Sequence, residues 1–338
     1  MRNVKRKKIA IVGAGFCGLA ASWFFAEREE FAVDLYDPSG IGGGASGIAA
    51  GLLHPYAGAH NKLNPFALEG IAATKELLSV AERALGKQIA HFSGVLRLAT
   101  DEAQLSDYQK ASAKYPDIMW RTAAENQKAV EGLYPHPGIF IENAAVVDSQ
   151  LYLEGLFKAC TKRGLTLIKE PIADLNRLDT YDSILITAGA GTCRIKGLEN
   201  LPSSLIKGQV IIGNWPEQHT PLPFPLNSYA YLLMQPDRPH QFCAGATFER
   251  TLSDAIPDLP TAIQDILPKV QTFFPSLTEK NIIGCKAGVR VSTPNHLPLI
   301  HRHNRNCWVL TGMGSKGLLY NALYAKKVVQ DMLRNQEI

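Results

Sequence analysis

No two of the six cysteines (Cys17, Cys160, Cys193, Cys243, Cys285 and Cys307) stand at Cys-x-x-Cys spacing. Neither a zinc ribbon nor a redox dithiol is therefore indicated, and no metal site is expected. Several of these cysteines lie in apolar, strand-like runs, where a reduced buried thiol is the default. That usage suits a reducing, cytoplasmic compartment. There is no run of about 18 apolar residues, so no membrane-spanning helix is expected. The only early apolar stretch is interrupted by Gly13, Gly15 and Gly18, which argues against a secretory leader. No internal repeat or low-complexity segment is visible. Charge is also sparse: the net value is +4, and 20% of residues are charged. Part of the excess sits in Arg2, Lys5, Arg6, Lys7 and Lys8, read as a solvated lead-in before the first strand rather than a nucleic-acid contact. At 338 residues and 46% hydrophobic, the chain suffices for two domains, or one large domain with an insertion.

What is present begins with Ile9–Val12, an apolar β-prone run leading straight into Gly13-Ala14-Gly15-Phe16-Cys17-Gly18. A helical run, Leu19–Glu27, and a second apolar run, Phe31–Tyr36, follow, ending in Asp37. Gly-x-Gly-x-x-Gly between a strand and a helix predicts a dinucleotide-binding βαβ unit. Gly13 permits the turn, Gly15 the close approach of a pyrophosphate, and Gly18 the close packing of helix on strand. The helix start offers N–H donors and partial positive charge, and Asp37 is placed to accept from a ribose diol. Gly40–Gly47 is a small-residue loop feeding Ile48–Leu53, and such residues let a backbone lie against a flat or charged ligand.

Further on, helices are predicted over Asn64–Leu85 with Pro65 in the first turn, and over Asp101–Lys114, Ala123–Val130, Ser149–Arg163, Leu259–Phe274 and Leu318–Leu333. Strands are predicted over Gly94–Ala99, Gly138–Ile141, Leu165–Ile168, Ser183–Ala188, Lys207–Gly213, Ser228–Leu233, Gln241–Thr247, Ile282–Val291 and Trp308–Thr311. Two βα units separated by about a hundred residues of mixed character predict a dinucleotide domain interrupted by a second one.

Taken together, these segments resemble the D-amino-acid-oxidase-like (DAO) flavoenzymes, a family that includes glycine oxidases, sarcosine oxidases and the flavin domain of the tRNA-modifying MnmC proteins. The resemblance spans nearly the whole chain. It implies an α/β fold: an FAD-binding Rossmann-like domain of the glutathione-reductase type, with an interleaved α+β substrate domain on an antiparallel sheet. The expected boundaries are 1–90, 141–206 and 282–338 for the FAD domain and 91–140 and 207–281 for the substrate domain. The implied cofactor is non-covalent FAD. Its implied contacts are Gly13, Gly15, Phe16, Cys17, Gly18 and Asp37, then Gly44, Ala45 and Ser46 near the pyrophosphate. Ala50, Gly51 and Leu52 would run beside the flavin ring, with Val147, Ala188 and Gly189 in the re-entering strands. Gly312, Gly314, Ser315, Lys316 and Gly317 form the last loop.

The stretch Ala287–Pro294 resembles the family's arginine-bearing strand, which implies that Arg290 pairs with a substrate carboxylate, as a guanidinium does with two parallel hydrogen bonds. The resemblance further implies a substrate-facing Tyr231, a Lys316 that touches substrate or flavin, and a His54 that tunes substrate protonation. The implied activity is oxidation of the C–N bond of a small amino acid or N-substituted glycine by hydride transfer, followed by imine hydrolysis. No strong general base is visible, which suits hydride transfer. Two alternatives stand beside it. One is MnmC-like oxidative removal of a carboxymethyl group from a modified tRNA uridine; the other is a flavin-binding regulatory protein without turnover.

Overall fold

The computed structural model describes residues 6–58, 60–251 and 254–335. Arg2 and Lys5 of the basic lead-in lie outside these residues. Lys7 and Lys8 are not lead-in but the first residues of β1 (Lys7–Val12). Helix α1 (Phe16–Ala26) and β2 (Phe31–Tyr36) complete the expected βαβ start. The helix begins before Leu19 because Gly18 is part of its first turn. A Cβ there would strike the Gly13 carbonyl oxygen, so only glycine lets the turn close onto the strand.

Next come β3 (Leu52–Leu53), α2 (Ala67–Leu85), β4 (Ala90–His91) and β5 (Val95–Leu98). Helix α2 starts later than its periodicity suggests. Asn64 is held in the preceding loop, its Nδ2 donating to the Pro55 and Ala57 carbonyls at 3.0 and 2.8 Å. Phe66, the N-cap, takes a left-handed φ of 56°, uncommon for a residue with a Cβ. The chain continues through α3 (Glu102–Lys114), β6 (Ile118–Arg121), α4 (Ala123–Ala129), β7 (Gly138–Ile141), β8 (Ala145–Val147) and α5 (Ser149–Thr161). Helices α3, α4 and α5 are capped by Asp101, Thr122 and Asp148, whose side chains accept from Gln104, Glu125 and Leu151 N–H groups, each worth about 1 kcal/mol.

Strands β9 (Thr166–Ile168) and β10 (Ser183–Ile186) precede β11 (Ser204–Asn214), β12 (Leu226–Asn227), β13 (Tyr231–Gln235) and β14 (Arg238–Gly245). Of the strand expected over Ser228–Leu233 only Tyr231–Leu233 forms, within β13, because the Ser228 N–H donates to the Ala230 carbonyl at 2.9 Å and turns the chain. Helix α6 (Leu259–Gln271), β15 (Ile282–Ser292), β16 (Leu299–Arg302), β17 (Cys307–Thr311) and α7 (Gly317–Arg334) close the chain.

These strands form a six-stranded sheet in the order β16-β17-β10-β1-β2-β9 and an eight-stranded sheet in the order β15-β11-β14-β13-β12-β5-β7-β6. In the first sheet β1 runs parallel to both β2 and β10, and one face is covered by α1, α2, α5 and α7. In the second, β11, β13, β14 and β15 pair antiparallel, with α6 on one face. The expected boundary at 282 moves: Ile282–Ser292 pairs along nearly its whole length with β11, so the chain returns to the six-stranded sheet only at β16. A register-matched eleven-residue partner outweighs sequence proximity to β16 and β17.

A three-stranded sheet, β3-β8-β4, lies at the seam. Leu53, Ala90 and Val147 point into the core of the six-stranded sheet. Leu52 and Val146 pack instead with Val210, Leu233 and Cys243 of the eight-stranded one. Alternation along a strand thus puts one side chain in each core.

Candidate active site

The nucleotide end is built from strand-to-helix turns. Gly13 has φ 110°, and a Cβ on it would lie 2.5 Å from the Thr187 carbonyl oxygen. Thr187 locks the turn, its hydroxyl bonding the Val12 and Gly13 carbonyls at 3.0 Å each. Asp37 ends β2, where Oδ2 accepts from the Ala14 N–H at 2.8 Å and Oδ1 from the Ser39 N–H at 2.9 Å. The Phe16 N–H donates to Ser46 Oγ at 3.1 Å, so the loop carrying Gly44 and Ala45 closes onto the start of α1.

Helix α7 begins beside α1, since a Cβ on Gly317 would lie 3.3 Å from the Phe16 ring. Neither helix has an acidic residue in its first turn or a cap from its own N-cap side chain. Two positive helix ends therefore converge, an arrangement suited to phosphate and to negative charge on a ring. Ala188 and Gly189 follow β10, and Gly189 (φ 53°) opens a 3-10 turn over Gly189–Arg194. Gly312 and Gly314 take φ 79° and 55°, and the Gly314 N–H donates to the Val291 carbonyl at 2.7 Å. That bond fixes the last loop to β15. Ser315 is exposed.

Val147 joins the Gly51 end of this groove: its N–H donates to the Gly51 carbonyl at 2.9 Å. The residues that meet Asp37 are instead those ending β9, whose Ile168 carbonyl accepts from the Asp37 N–H at 3.1 Å. The short apolar run Leu165–Ile168 was the available signal, but nothing local says that it pairs with β2.

The second cluster lies on the face of the eight-stranded sheet turned away from α6. Register places Lys286, Val210, Gly245 and Tyr231 in one row across β15, β11, β14 and β13. Two residues further along, Gly208 faces Gly288, and beyond them Ile206 faces Arg290. The half-buried Arg290 guanidinium folds back across Gly208: a Cβ there would fall under 3.0 Å from its carbon and from both terminal nitrogens. Arg290 makes no ion pair among the described residues.

The Tyr231 hydroxyl lies over Gly245, where a Cβ would approach it to 2.5 Å. Burial pushes its acidity far down, while the Arg290 charge pulls the other way, so it is a neutral phenol. Gly288 receives the loop from the other side, its Cβ position lying 3.1 Å from Ala45 Cα and 3.0 Å from Ile48 Cγ1. Ala50 and Leu52 complete an apolar floor with Val146, Leu233 and Cys243. Structure thus brings Arg290, Tyr231 and the 45–52 segment together, around three glycines that no local pattern links.

The other two expected substrate residues stand apart in character. His54 is 6% exposed, with its Nδ1 buried and unpartnered. Burial, with the Arg97 charge, lowers its pKa to about 3. It is held as a neutral imidazole at ordinary pH. Arg97 holds the adjoining loop, donating to the Tyr56 and Gly58 carbonyls and to Asn61 Oδ1. Lys316 is half-buried and donates to the His296 carbonyl at 3.2 Å, with desolvation lowering its pKa. Cys17 is held as a neutral thiol, pushed up to about 12 by burial.

Over residues 8–330 the sequence matches the family described as FAD dependent oxidoreductase, DAO. The chain belongs to this family. Its cofactor is therefore FAD, and the residues fit it: two convergent helix starts, a terminal carboxylate and glycines where a Cβ would collide. The tRNA 5-methylaminomethyl-2-thiouridine biosynthesis bifunctional protein MnmC of Acinetobacter baylyi is 25% identical over 97% of this chain and 53% of its own length. The chain spans about half the length of such bifunctional relatives. The putative thiamine biosynthesis oxidoreductase ThiO of Rhizobium etli is 24% identical, over 97% of both chains. Glycine oxidase from Geobacillus kaustophilus superposes with a TM-score of 0.85 at 21% identity, covering 98% of this chain and 95% of its own. That likeness shows the fold. Among the described residues, no helix is long and apolar enough to cross a membrane, and no cluster suits a metal ion.

Proposed function

We propose that this DAO-family chain oxidises the Cα–N bond of a small amino acid or an N-substituted glycine. One observation carries the reading: an unpaired, half-buried arginine laid across a glycine, on the sheet face that meets the 45–52 segment. Arg290 would hold the carboxylate through two parallel N–H donors, and the neutral Tyr231 phenol would add a third. The glycines at 208, 245 and 288 leave room for the α-carbon. The apolar floor of Leu52, Val146, Leu233 and Cys243 excludes water. Bound FAD supplies the two-electron acceptor for a hydride from Cα. The amine nitrogen gives up one proton as the C=N bond forms. Water then adds to the imine carbon and the C–N bond breaks, releasing an oxo acid and an amine. No side chain near Arg290 need act as a strong base.

The eight-stranded sheet is then the substrate domain. FAD is held without a covalent link, by Gly13–Gly18, Asp37, Gly44–Ser46, Ala50–Leu52, Ala188–Gly189 and Gly312–Gly317. Cys307, the residue nearest the C-terminal end with a thiol, supports this reading because it is buried in β17. Anaerobic mixing with glycine, sarcosine and D-amino acids is the test: bleaching of the flavin absorbance is expected. No bleaching across a wide amine panel would sink the proposal in favour of a flavoprotein without turnover. The MnmC relatives favour a second reading, oxidative removal of a carboxymethyl group from tRNA uridine. Nucleoside mass spectrometry of tRNA from a deletion strain decides it.

A further inference from the structure

The loop between β3 and α2, described over 54–58 and 60–66, continues directly from the 50–52 segment that the proposed function sets against the flavin. One buried cation from the eight-stranded sheet holds it. Arg97, in β5, is 3% exposed. Its Nη1 donates to the Tyr56 carbonyl at 3.0 Å and to Asn61 Oδ1 at 2.6 Å, and its Nη2 to the Gly58 carbonyl at 2.9 Å. It makes no ion pair among the described residues. A buried guanidinium that meets only neutral oxygens is a costly group to keep.

The loop is fastened to the same side elsewhere. Tyr56 is buried in a core with Val95, Tyr108 and Ile139, and its hydroxyl donates to Asp117 Oδ1 at 2.5 Å. Gly58 and Asn61 take φ of 123° and 49°, conformations that persist where the surroundings impose them. The 50–52 segment, by contrast, has few bonds of its own. Strand β3 is two residues long, and the Val147 N–H reaches the Gly51 carbonyl. Upstream, the chain is tied where the Phe16 N–H meets Ser46 Oγ; downstream, the tie is Arg97. Leu52 touches both the apolar floor below Arg290 and the core that holds Tyr56. Arg97 and Arg290 belong to the same eight-stranded sheet.

We infer that Arg97 is a positioning residue for the oxidation: by clamping the loop, it sets where the 50–52 segment stands relative to Arg290. One sheet thus carries the carboxylate anchor and also fixes the segment that faces it. The inference rests on the proposed amine oxidation for its catalytic consequence, and on the hydrogen bonds alone for the clamp.

Anaerobic stopped-flow reduction of the purified holoenzyme separates binding from chemistry. In Arg97→Gln the limiting rate of flavin reduction should fall about tenfold to a hundredfold, because a misplacement of about 1 Å can cost that much. The substrate dissociation constant, set by Arg290, should stay near the wild-type value. Arg97→Lys keeps a cation with three donors and should recover most of the rate. Trypsin reads the clamp without turnover. Lys62 is exposed in the loop, and native-state cleavage after it should be faster in Arg97→Gln and in Asn61→Gly, which removes one acceptor and tolerates the positive φ. Should Arg97→Gln fail to retain FAD, Asn61→Gly takes its place in both measurements. If no amine reduces the flavin, the proposed function fails, while the cleavage rates still judge the clamp. An unchanged limiting rate in the variant holoenzyme, or equal cleavage at Lys62 in variant and wild type, overturns the inference.

Discussion

Gly208→Ala isolates the arginine geometry without touching the arginine. The added Cβ would fall under 3.0 Å from the guanidinium carbon and both terminal nitrogens of Arg290. These atoms are the far end of a flexible side chain, so they move rather than the backbone. Gly208 is paired with Gly288 inside a long antiparallel ladder, where alanine is tolerated, so the fold and FAD content should be retained. The guanidinium loses the pose in which it presents two donors together. Each charge-assisted hydrogen bond is worth about 1.5–3 kcal/mol, and losing one lowers kcat/KM by about tenfold to a hundredfold. Anaerobic stopped-flow reduction of the flavin measures this directly. Arg290→Ala should cost more, since both donors go, and the double variant should be no worse than Arg290→Ala alone. Such non-additivity is the signature of one shared interaction. Unchanged kcat/KM in Gly208→Ala, or fully additive losses in the double variant, would refute the placement of the carboxylate on this guanidinium.

Gly18→Ala places a Cβ against the Gly13 carbonyl, a backbone atom that cannot swing aside; purified protein should be colourless or insoluble, read from the absorbance ratio of flavin to protein. His54 supplies a pH dependence with a defined sign. Its folded pKa of about 3 lies below the ordinary 6.5, so the unfolded chain takes up a proton first, and the contribution is complete above 6.5 and lost as pH falls. Between pH 6.5 and 5 the loss amounts to about 2 kcal/mol. His54→Gln should flatten that acid limb in urea midpoints measured at both pH values, and an unaltered limb would show that His54 is not buried neutral. Cys17, pushed up to about 12, should resist alkylation at pH 8 in the native protein; peptide mapping showing it modified as fast as after unfolding would contradict the raised thiol pKa.

The parts legible in the sequence are those whose physics is local. Gly13, Gly15 and Gly18 stand within one turn of chain, so strand, loop and helix could be read together, and Asp37 followed from the next strand. Helices α3 and α5 were readable because their apolar stripes and caps lie within a few residues. The miss at Asn64 came from a side chain bonding back to Pro55 and Ala57, a competition that periodicity does not register. Ser228–Leu233 failed for a similar reason, a turn hidden inside a β-prone run.

The sequence by itself determined that a dinucleotide would be held at the head of the chain, because glycine conformations and a strand-to-helix turn depend on neighbours along the backbone. Arg290 was marked by the resemblance to the DAO family rather than by any local pattern. Only the tertiary structure decided what Arg290 lies on and what lies beside it. Strand register set Gly208 beneath the guanidinium, brought Tyr231 from three strands away and moved β15 into the eight-stranded sheet, and packing buried His54 as a neutral imidazole. Those outcomes depend on pairing between segments far apart in the chain, where hydrogen-bond register and core packing, rather than local preference, select the neighbours.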